Sequence, residues 1–306
     1  MTITAHVVAD SIGPQSPRIT TFQLRYPRFI HAEFMTHRVF SRNASSSRAI
    51  PVEKQIEMIR EDTAMPSHWG KNQSGMQADD ETDEAVWIPG VIGEDGYMFA
   101  HTEGYGAEDA WINARDRAIE VAEAFVAAGY HKQIVNRILE PFSHISVVVT
   151  ATDYDNFFWL RRHKDAQPEI KILADAMYVA MEQSVPRKLS FHEWHLPYVS
   201  NQERKDFSID DQIKMSVARC ARVSYLTHDG KSPSVEKDIA LYDRLVGSSP
   251  LHASPAEHQA KPDHVIWGEH VKMWEKPDLH GNFTGYQQFR KTLADEHITS
   301  WEGLNP

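Results

Sequence analysis

The 306-residue chain has a single cysteine, Cys220, which excludes an internal disulfide framework and leaves too few thiols for a cysteine-rich zinc site. It also lacks a positive balance: 32 lysines and arginines against 43 carboxylates give a formal charge of -11 and a pI near 5.8. Broad, sequence-independent binding to nucleic acid needs a basic face and is excluded, whereas a local basic pocket for an anionic nucleotide is not. No apolar run is long enough to span a bilayer, and Met1 to Arg18 carries no signal-peptide pattern, so the expected location is the cytoplasm. Internal repeats and low-complexity tracts are missing too. What remains, at 41% hydrophobic and 25% charged residues, is the composition of a globular protein able to bury a substantial core.

Hydrophobic periodicity predicts both strands and helices. Thr2–Val8 and Ile19–Arg25 alternate as strands, and Ile145–Thr152, with Val147, Val148, Val149 and Thr150 in succession, reads as a buried one. Helices are predicted over Phe29–Thr36, Val52–Arg60, Glu108–Ala128 with Gly129 as C-cap, His131–Leu139, Asp155–Arg162, Ala166–Val185, Gln212–Tyr225, Pro233–Leu245 and Phe289–Glu296. Asp62–Tyr105, rich in Gly, Pro and carboxylates, reads as loops. Its segment Trp69–Met76 has two glycines and a lysine without P-loop spacing, and is a surface loop or an active-site flap. Residues 1–186 are expected to form a core, 187–211 a linker, and 212–306 a helical segment completing the same fold.

The stretch that asks for a ligand is Thr36–Arg48. It gathers three arginines, a histidine, an asparagine and four serines behind a strand and a mostly apolar helix start. Guanidinium forks with hydroxyls suit phosphates; the bland alternative is a loop whose serines cap helices and whose arginines are solvated. His37-Arg38, Ser41, Asn43, Ser46 and Arg48 resemble the Arg-His-Arg-x-x-Ser-x-Asn-x-x-Ser-x-Arg signature of the flavin-dependent thymidylate synthases, with Thr36 in place of the first arginine. Four further stretches resemble the same family. They are Gly129-x-x-Lys132-Gln133-x-x-x-Arg137-Ile138-x-x-Pro141; Asn156-Phe157-Phe158-x-Leu160-Arg161 with Ala166-Gln167-x-Glu169-Ile170; Cys220-Ala221-Arg222-Val223-Ser224-Tyr225; and His252-Ala253-Ser254-Pro255-Ala256-Glu257-His258. In the family the last two precede the histidine-arginine signature, whereas here they follow it, as a circular permutation would produce.

The resemblance implies a mixed α/β (α+β) fold with an antiparallel-rich sheet and packed helices, a homotetramer, and methylation of dUMP at C5 with methylenetetrahydrofolate as carbon donor and NADPH reducing a bound FAD. Carried over by position, His37, Arg38, Asn43, Asn156, His252 and Ser254 would hold FAD. Ser46, Ser47, Arg48 and Arg137 would grip dUMP, and Arg161 would face the pyrimidine as the catalytic cation. Arg290, beside Tyr286 and Gln287-Gln288, would replace the charge missing at Thr36, or else be a solvated helix arginine. Glu33 stands where the family has glutamine, which opens a related pyrimidine nucleotide or a hydroxymethylation as alternatives.

Structural readings stand beside these roles. Asn156 and Ser254 could be helix caps, and Arg161-Arg162-His163 a solvated turn, although Phe157, Phe158 and Trp159 argue for enclosure. Arg222 reads as a buried structural pair. A metal site on His252, Glu257 and His258 would serve a hydrolase, but six residues separate the histidines and Pro255 interrupts them, unlike a helical zinc motif, so no metal is expected. Cys220, mid-helix beside Ala218 and Ala221, reads as a buried thiol rather than a nucleophile, which leaves the chemistry to a cofactor. A flavin- or nucleotide-binding protein without activity is the remaining class; three retained arginines, Arg48, Arg137 and Arg161, exceed what flavin binding alone requires.

Overall fold

A computed structural model describes residues 2–75, 78–88, 103–223, 233–249, 251–267, 272–294 and 296–297. Met76, Ser224 and Tyr225 of the segments named above lie outside the described residues, as do residues 89–102 of the stretch read as loop. In chain order the elements are β1 (Thr4–Ile12), β2 (Arg18–Pro27), α1 (His31–Met35), β3 (Ser41–Ala44), α2 (Val52–Glu61), β4 (Val86–Ile88), β5 (Glu103–Tyr105), α3 (Ala107–Ala127), α4 (Lys132–Leu139), β6 (His144–Ala151), α5 (Asp155–Arg161) and α6 (Pro168–Glu182). They continue with β7 (Arg187–Lys188), α7 (Glu203–Asp206), α8 (Ile209–Arg222), α9 (Val235–Val246), β8 (Ala260–Pro262), β9 (Val265–Trp267), β10 (Lys272–Trp274) and β11 (Tyr286–Gln288).

The sheet has the order β3-β6-β2-β1-β7, antiparallel throughout except for the β1–β7 edge, so the mixed, antiparallel-rich fold expected from sequence is present. Its two faces are set by strand alternation. Phe22, Leu24 and Tyr26 of β2 point the same way as Val149, Val147 and Ile145, opposite them on β6. Against this face pack Ile170, Leu173, Ala174 and Met177 of α6, with Phe34, Phe40 and Phe157 at the end where β3 begins. Truncating Phe157, 2% exposed, to alanine is expected to cost about 3–5 kcal/mol.

The opposite face carries Thr21, Thr150 and Val148, and is covered by the later half of the chain. Val148 packs with Tyr198, Cys220 and Val223. The stretch 187–211, expected as a linker, supplies buried Leu189, His195, Leu196, Tyr198 and Val199. β7 completes the sheet edge, and His195 bridges to Ala260. A separate apolar cluster joins α2, α3 and α4 through Ile56, Ile59, Ile119, Val135 and Leu139. Gly129 follows α3 at φ +83°, the left-handed conformation expected of its C-cap. The predicted helix over Phe289–Glu296 is only a 3-10 turn at Phe289–Thr292. The last part of the chain instead folds as short hairpins, with the Tyr286 hydroxyl accepting from the Gly13 amide and donating to the Pro17 carbonyl at the β1–β2 turn.

Candidate active site

The Thr36–Arg48 stretch is positioned at three levels. Its start is the C-terminus of α1, where Arg42 donates from Nη1 to the carbonyls of Phe34, Met35 and His37 at 2.9–3.4 Å. A guanidinium fork suits this cluster of carbonyls at a helix end. Its middle, read from sequence as loop, is strand β3, zipped to β6 from Ser41↔Thr150 to Ala44↔Val147. Its end is a 3-10 turn, Ser47–Ala49, capped by the Ser46 hydroxyl accepting from the Arg48 amide.

Around the start lies the first polar group. His37 is 8% exposed, with Phe157 edge-on at 4.9 Å between ring centroids and Phe40 stacked at 5.8 Å. Arg161, at the last turn of α5, donates from Nε to His37 Nε2 at 2.9 Å and from Nη2 to the Thr36 hydroxyl at 3.3 Å. Burial, the Arg161 charge and the Arg42 charge together push the His37 imidazole down to about 4, so it is neutral at physiological pH. Arg38 is exposed, as is Asn156, which lies inside the first turn of α5 and does not cap it.

The second group joins the two ends of the chain. Asn43 donates from Nδ2 to the Cys220 carbonyl at 2.8 Å, at the C-terminus of α8, and its Oδ1 accepts from the Ser254 hydroxyl at 3.3 Å. Val223 closes α8 in the left-handed region at φ 58°, an uncommon conformation for a β-branched residue. Ser254 and the exposed His252 thus sit on the segment beside β3. Of the residues once weighed as metal ligands, His258 is bound through Nδ1 to the Thr150 hydroxyl at 2.9 Å and Glu257 pairs with Arg290.

The third group surrounds the 3-10 turn. The Ser47 hydroxyl donates to Glu140 Oε1 at 2.7 Å, and the same carboxylate oxygen accepts from Arg137 Nη1 at 3.2 Å. Asn136 fastens the backbone with bonds to the Ser47 and Ile50 carbonyls. Ser46 and Arg48 are exposed. Arg290 differs from its expected part: its guanidinium is held by Glu257 and Glu296, so its charge is already matched by two carboxylates.

Sequence reasoning missed Arg42, Glu140 and Asn136; the spacing of three between Arg137 and Glu140 was the available sign of one of them. It also left the Gln-x-Glu pair without a role. Gln167 caps α6 through the Ile170 amide, and buried Glu169 accepts from the Ser67 hydroxyl at 2.8 Å, tying the loop after α2 to α6. Arg222 pairs with buried Asp238, as expected of a structural residue. A surface cavity of about 760 Å³ lies along the outer face of α2, lined by Pro51, Lys54, Ile56 and Arg60, and contains none of the site residues.

The sequence profile of the family described as thymidylate synthase complementing protein matches residues 18–187. No individual curated protein matches the chain. Among solved structures, the UMP/dUMP methylase PolB from Streptomyces cacaoi aligns at 18% identity over 60% of this chain and 90% of its own, with a TM-score of 0.40. Thymidylate synthase X from Helicobacter pylori aligns at 14% identity over 53% of this chain and 67% of its own, with a TM-score of 0.34. The profile spans both the histidine-arginine signature and the Arg137 and Arg161 segments, more than half the chain, and the chain therefore belongs to the thymidylate synthase complementing protein family of methyltransferase enzymes.

Proposed function

We propose that the protein methylates dUMP at C5 to give dTMP, with methylenetetrahydrofolate as carbon donor, FAD as bound cofactor and NADPH as reductant. The observation that carries this reading is the Arg161–His37 contact, which joins two of the family's signature segments into one cationic edge. The buried thiol supports it from the other side. Cys220 is fully enclosed and burial pushes its pKa well up, so a thiolate nucleophile is not at hand and the chemistry falls to a cofactor.

The donor set suits FAD. A neutral imidazole at His37, an exposed guanidinium at Arg38 and the polar side chains of Asn43, Asn156, His252 and Ser254 offer hydrogen bonds to ring edges and charge to phosphates. When bound, the flavin supplies the reducing equivalents taken from NADPH. The chain's own residues then bind and orient the nucleotide: Ser46, Ser47, Arg48 and Arg137 hold its phosphate and ribose, and Arg161 faces the pyrimidine. There its fixed charge stabilises the negative charge that grows on the ring oxygen as C5 becomes nucleophilic, an effect worth roughly 3–4 kcal/mol by analogy with oxyanion-hole donors.

The Asn43–Cys220 and Asn43–Ser254 bonds support a permuted segment order, because they seat the late motifs beside the early one. A homotetramer in the cytoplasm belongs to the same proposal. A second reading, methylation or hydroxymethylation of a related pyrimidine nucleotide, is favoured by Glu33, whose Oε2 is buried without a hydrogen-bond partner among the described residues.

Purified protein separates these readings. Flavin absorbance, bleaching by NADPH under anaerobic conditions, and dTMP from dUMP and methylenetetrahydrofolate are the expected results. Mass analysis of products from dUMP and UMP distinguishes methyl from hydroxymethyl. Bound flavin with no product from either nucleotide would sink the enzymatic proposal.

A further inference from the structure

Arg28 lies between β2 and α1, and the sequence motifs give it no role. Pro27 precedes it, and its backbone amide donates to the Ser143 carbonyl at 2.9 Å, which sets the start of its side chain against the turn Glu140–Phe142. Its Nε donates to the Ser143 hydroxyl at 3.2 Å, and that hydroxyl in turn donates to the Glu140 carbonyl at 2.9 Å. The guanidinium is half-buried, and among the described residues neither Nη atom has an acceptor.

Its electrostatic surroundings are unusual for an arginine with a purely structural part. Burial lowers its pKa, the Glu140 charge opposes that, and the neighbouring Arg137 charge adds to it, although the group stays protonated. The Glu140 carboxylate that offsets the Arg28 charge already accepts from Ser47 and Arg137. Lys132, which donates to the Ala49 carbonyl, and Arg48 add two more cations beside the same 3-10 turn. This corner thus gathers four cations and the hydroxyls of Ser46 and Ser47, and the Glu140 carboxylate is bonded to two of these groups, Arg137 and Ser47. Such a cluster is repulsive by itself and is relieved by a ligand with at least two negative charges and several acceptor oxygens.

We propose that Arg28 is a substrate-binding residue of this chain, its open Nη edge taking an oxygen of the nucleotide's phosphate monoester opposite Arg137. The proposal rests on the nucleotide reading above and adds to it a residue outside the family's signature. It also relocates the charge that Thr36 does not supply: Arg290 is held by Glu257 and Glu296, whereas Arg28 keeps donors free for a ligand.

The test is calorimetric titration of the flavin-loaded protein and its Arg28→Gln and Arg28→Lys variants with dUMP, deoxyuridine and inorganic phosphate. Arg28→Gln should weaken dUMP by about tenfold or more, leave deoxyuridine within twofold, and weaken inorganic phosphate in parallel; Arg28→Lys should recover part of the loss. Urea midpoints report folding, and the lysine variant carries the test if the glutamine variant does not fold. dUMP affinity within twofold of the parent protein in every folded variant overturns the role of Arg28 while the nucleotide reading stands. Arg28-dependent binding of inorganic phosphate with no binding of dUMP upholds the anion site and overturns the nucleotide reading. No binding of either ligand by the parent protein overturns both.

Discussion

The Nε–H of Arg161 donates to Nε2 of His37 across 2.9 Å, so the imidazole must be neutral and carry its proton on Nδ1. The bond holds the Arg161 guanidinium by one edge and leaves the other beside Thr36. If Arg161 is the catalytic cation proposed above, removing it takes away a charge whose worth is expressed in the transition state rather than in flavin binding. Arg161→Ala is expected to lower kcat by about 10²–10³-fold with flavin absorbance retained. Loss of flavin from this variant would defeat the catalytic assignment.

His37 is one of five histidines among the described residues, His31 included, whose imidazoles burial holds below the ordinary range. Desolvation brings His37 and His144 down to about 4, and His195 and His258 down to about 3. All four lie below the unfolded value near 6.5, so between pH 6.5 and 4 the unfolded chain binds more protons than the folded one. Stability should therefore be full above pH 6.5 and fall as pH drops through this window, by on the order of 1–3 kcal/mol for each fully protonated histidine. Urea denaturation at pH 7.5, 6.5, 5.5 and 4.5 measures it. A midpoint that stays constant to pH 4.5 would contradict the assignment.

Two of those histidines are linked by a buried chain of hydrogen bonds that crosses the sheet. It runs from the Ser11 hydroxyl to His195 Nδ1 at 3.0 Å, then from His195 Nε2 to Thr21 at 2.7 Å, from Thr21 to Thr150 at 2.7 Å, and from Thr150 to His258 Nδ1 at 2.9 Å. Thr150→Val preserves shape but strands His258 and leaves Thr21 only its bond to His195, and should cost about 1–3 kcal/mol. Thr150→Ser should recover most of it. Equal thermal midpoints for the valine and serine variants would show that the hydroxyl is dispensable.

Much of this arrangement is legible in the sequence alone. The run from Val147 to Thr150 could only be a buried strand, and the arginine- and serine-rich stretch announced a site. β3 was hidden because Ser41, Arg42 and Asn43 have weak strand preference, and their pairing with β6 overrides it. β1 runs on through Asp10 and Ser11, beyond the apolar alternation, because distant groups satisfy both: Arg18, Thr20 and Ser184 surround Asp10, and His195 bonds Ser11. Strands β8 to β11 have three residues each, too few for a period to register. The packing of residues 187–199 was illegible for another reason. Buried His195 reads as polar in sequence, and only its partners on β1 and β2 make its burial tolerable.

Asn43 is one of several links between early and late segments, and its two side-chain atoms need different chemistry. Nδ2 must donate to the Cys220 carbonyl while Oδ1 accepts from Ser254. Asn43→Asp sets a carboxylate against that carbonyl, so it should destabilise more than Asn43→Ala, by about 1–3 kcal/mol relative to the parent protein. On the proposed flavin reading Asn43→Ala should also release flavin more readily, since Ser254 and His252 lose their anchor to β3, whereas the aspartate still accepts from Ser254. Denaturant midpoints and the fraction of flavin retained on gel filtration are the readouts. An aspartate variant as stable as the parent would show that the Cys220 contact contributes nothing.

Cys220 offers the sharpest separation between cofactor chemistry and thiol chemistry. Its side chain is fully buried on α8, packed with Val148, Tyr198 and Val223, and burial raises its pKa far from the nucleophilic range. Native protein should therefore react with an aromatic disulfide reagent only after unfolding in guanidinium, and then with one thiol per chain. Cys220→Ala should lose about 1–2 kcal/mol of stability from the small cavity and keep its dTMP-forming turnover within a few-fold. A folded Cys220→Ala protein that binds flavin but forms no dTMP, while the parent protein forms it, would place the thiol in the reaction and overturn the assignment of the chemistry to the cofactor.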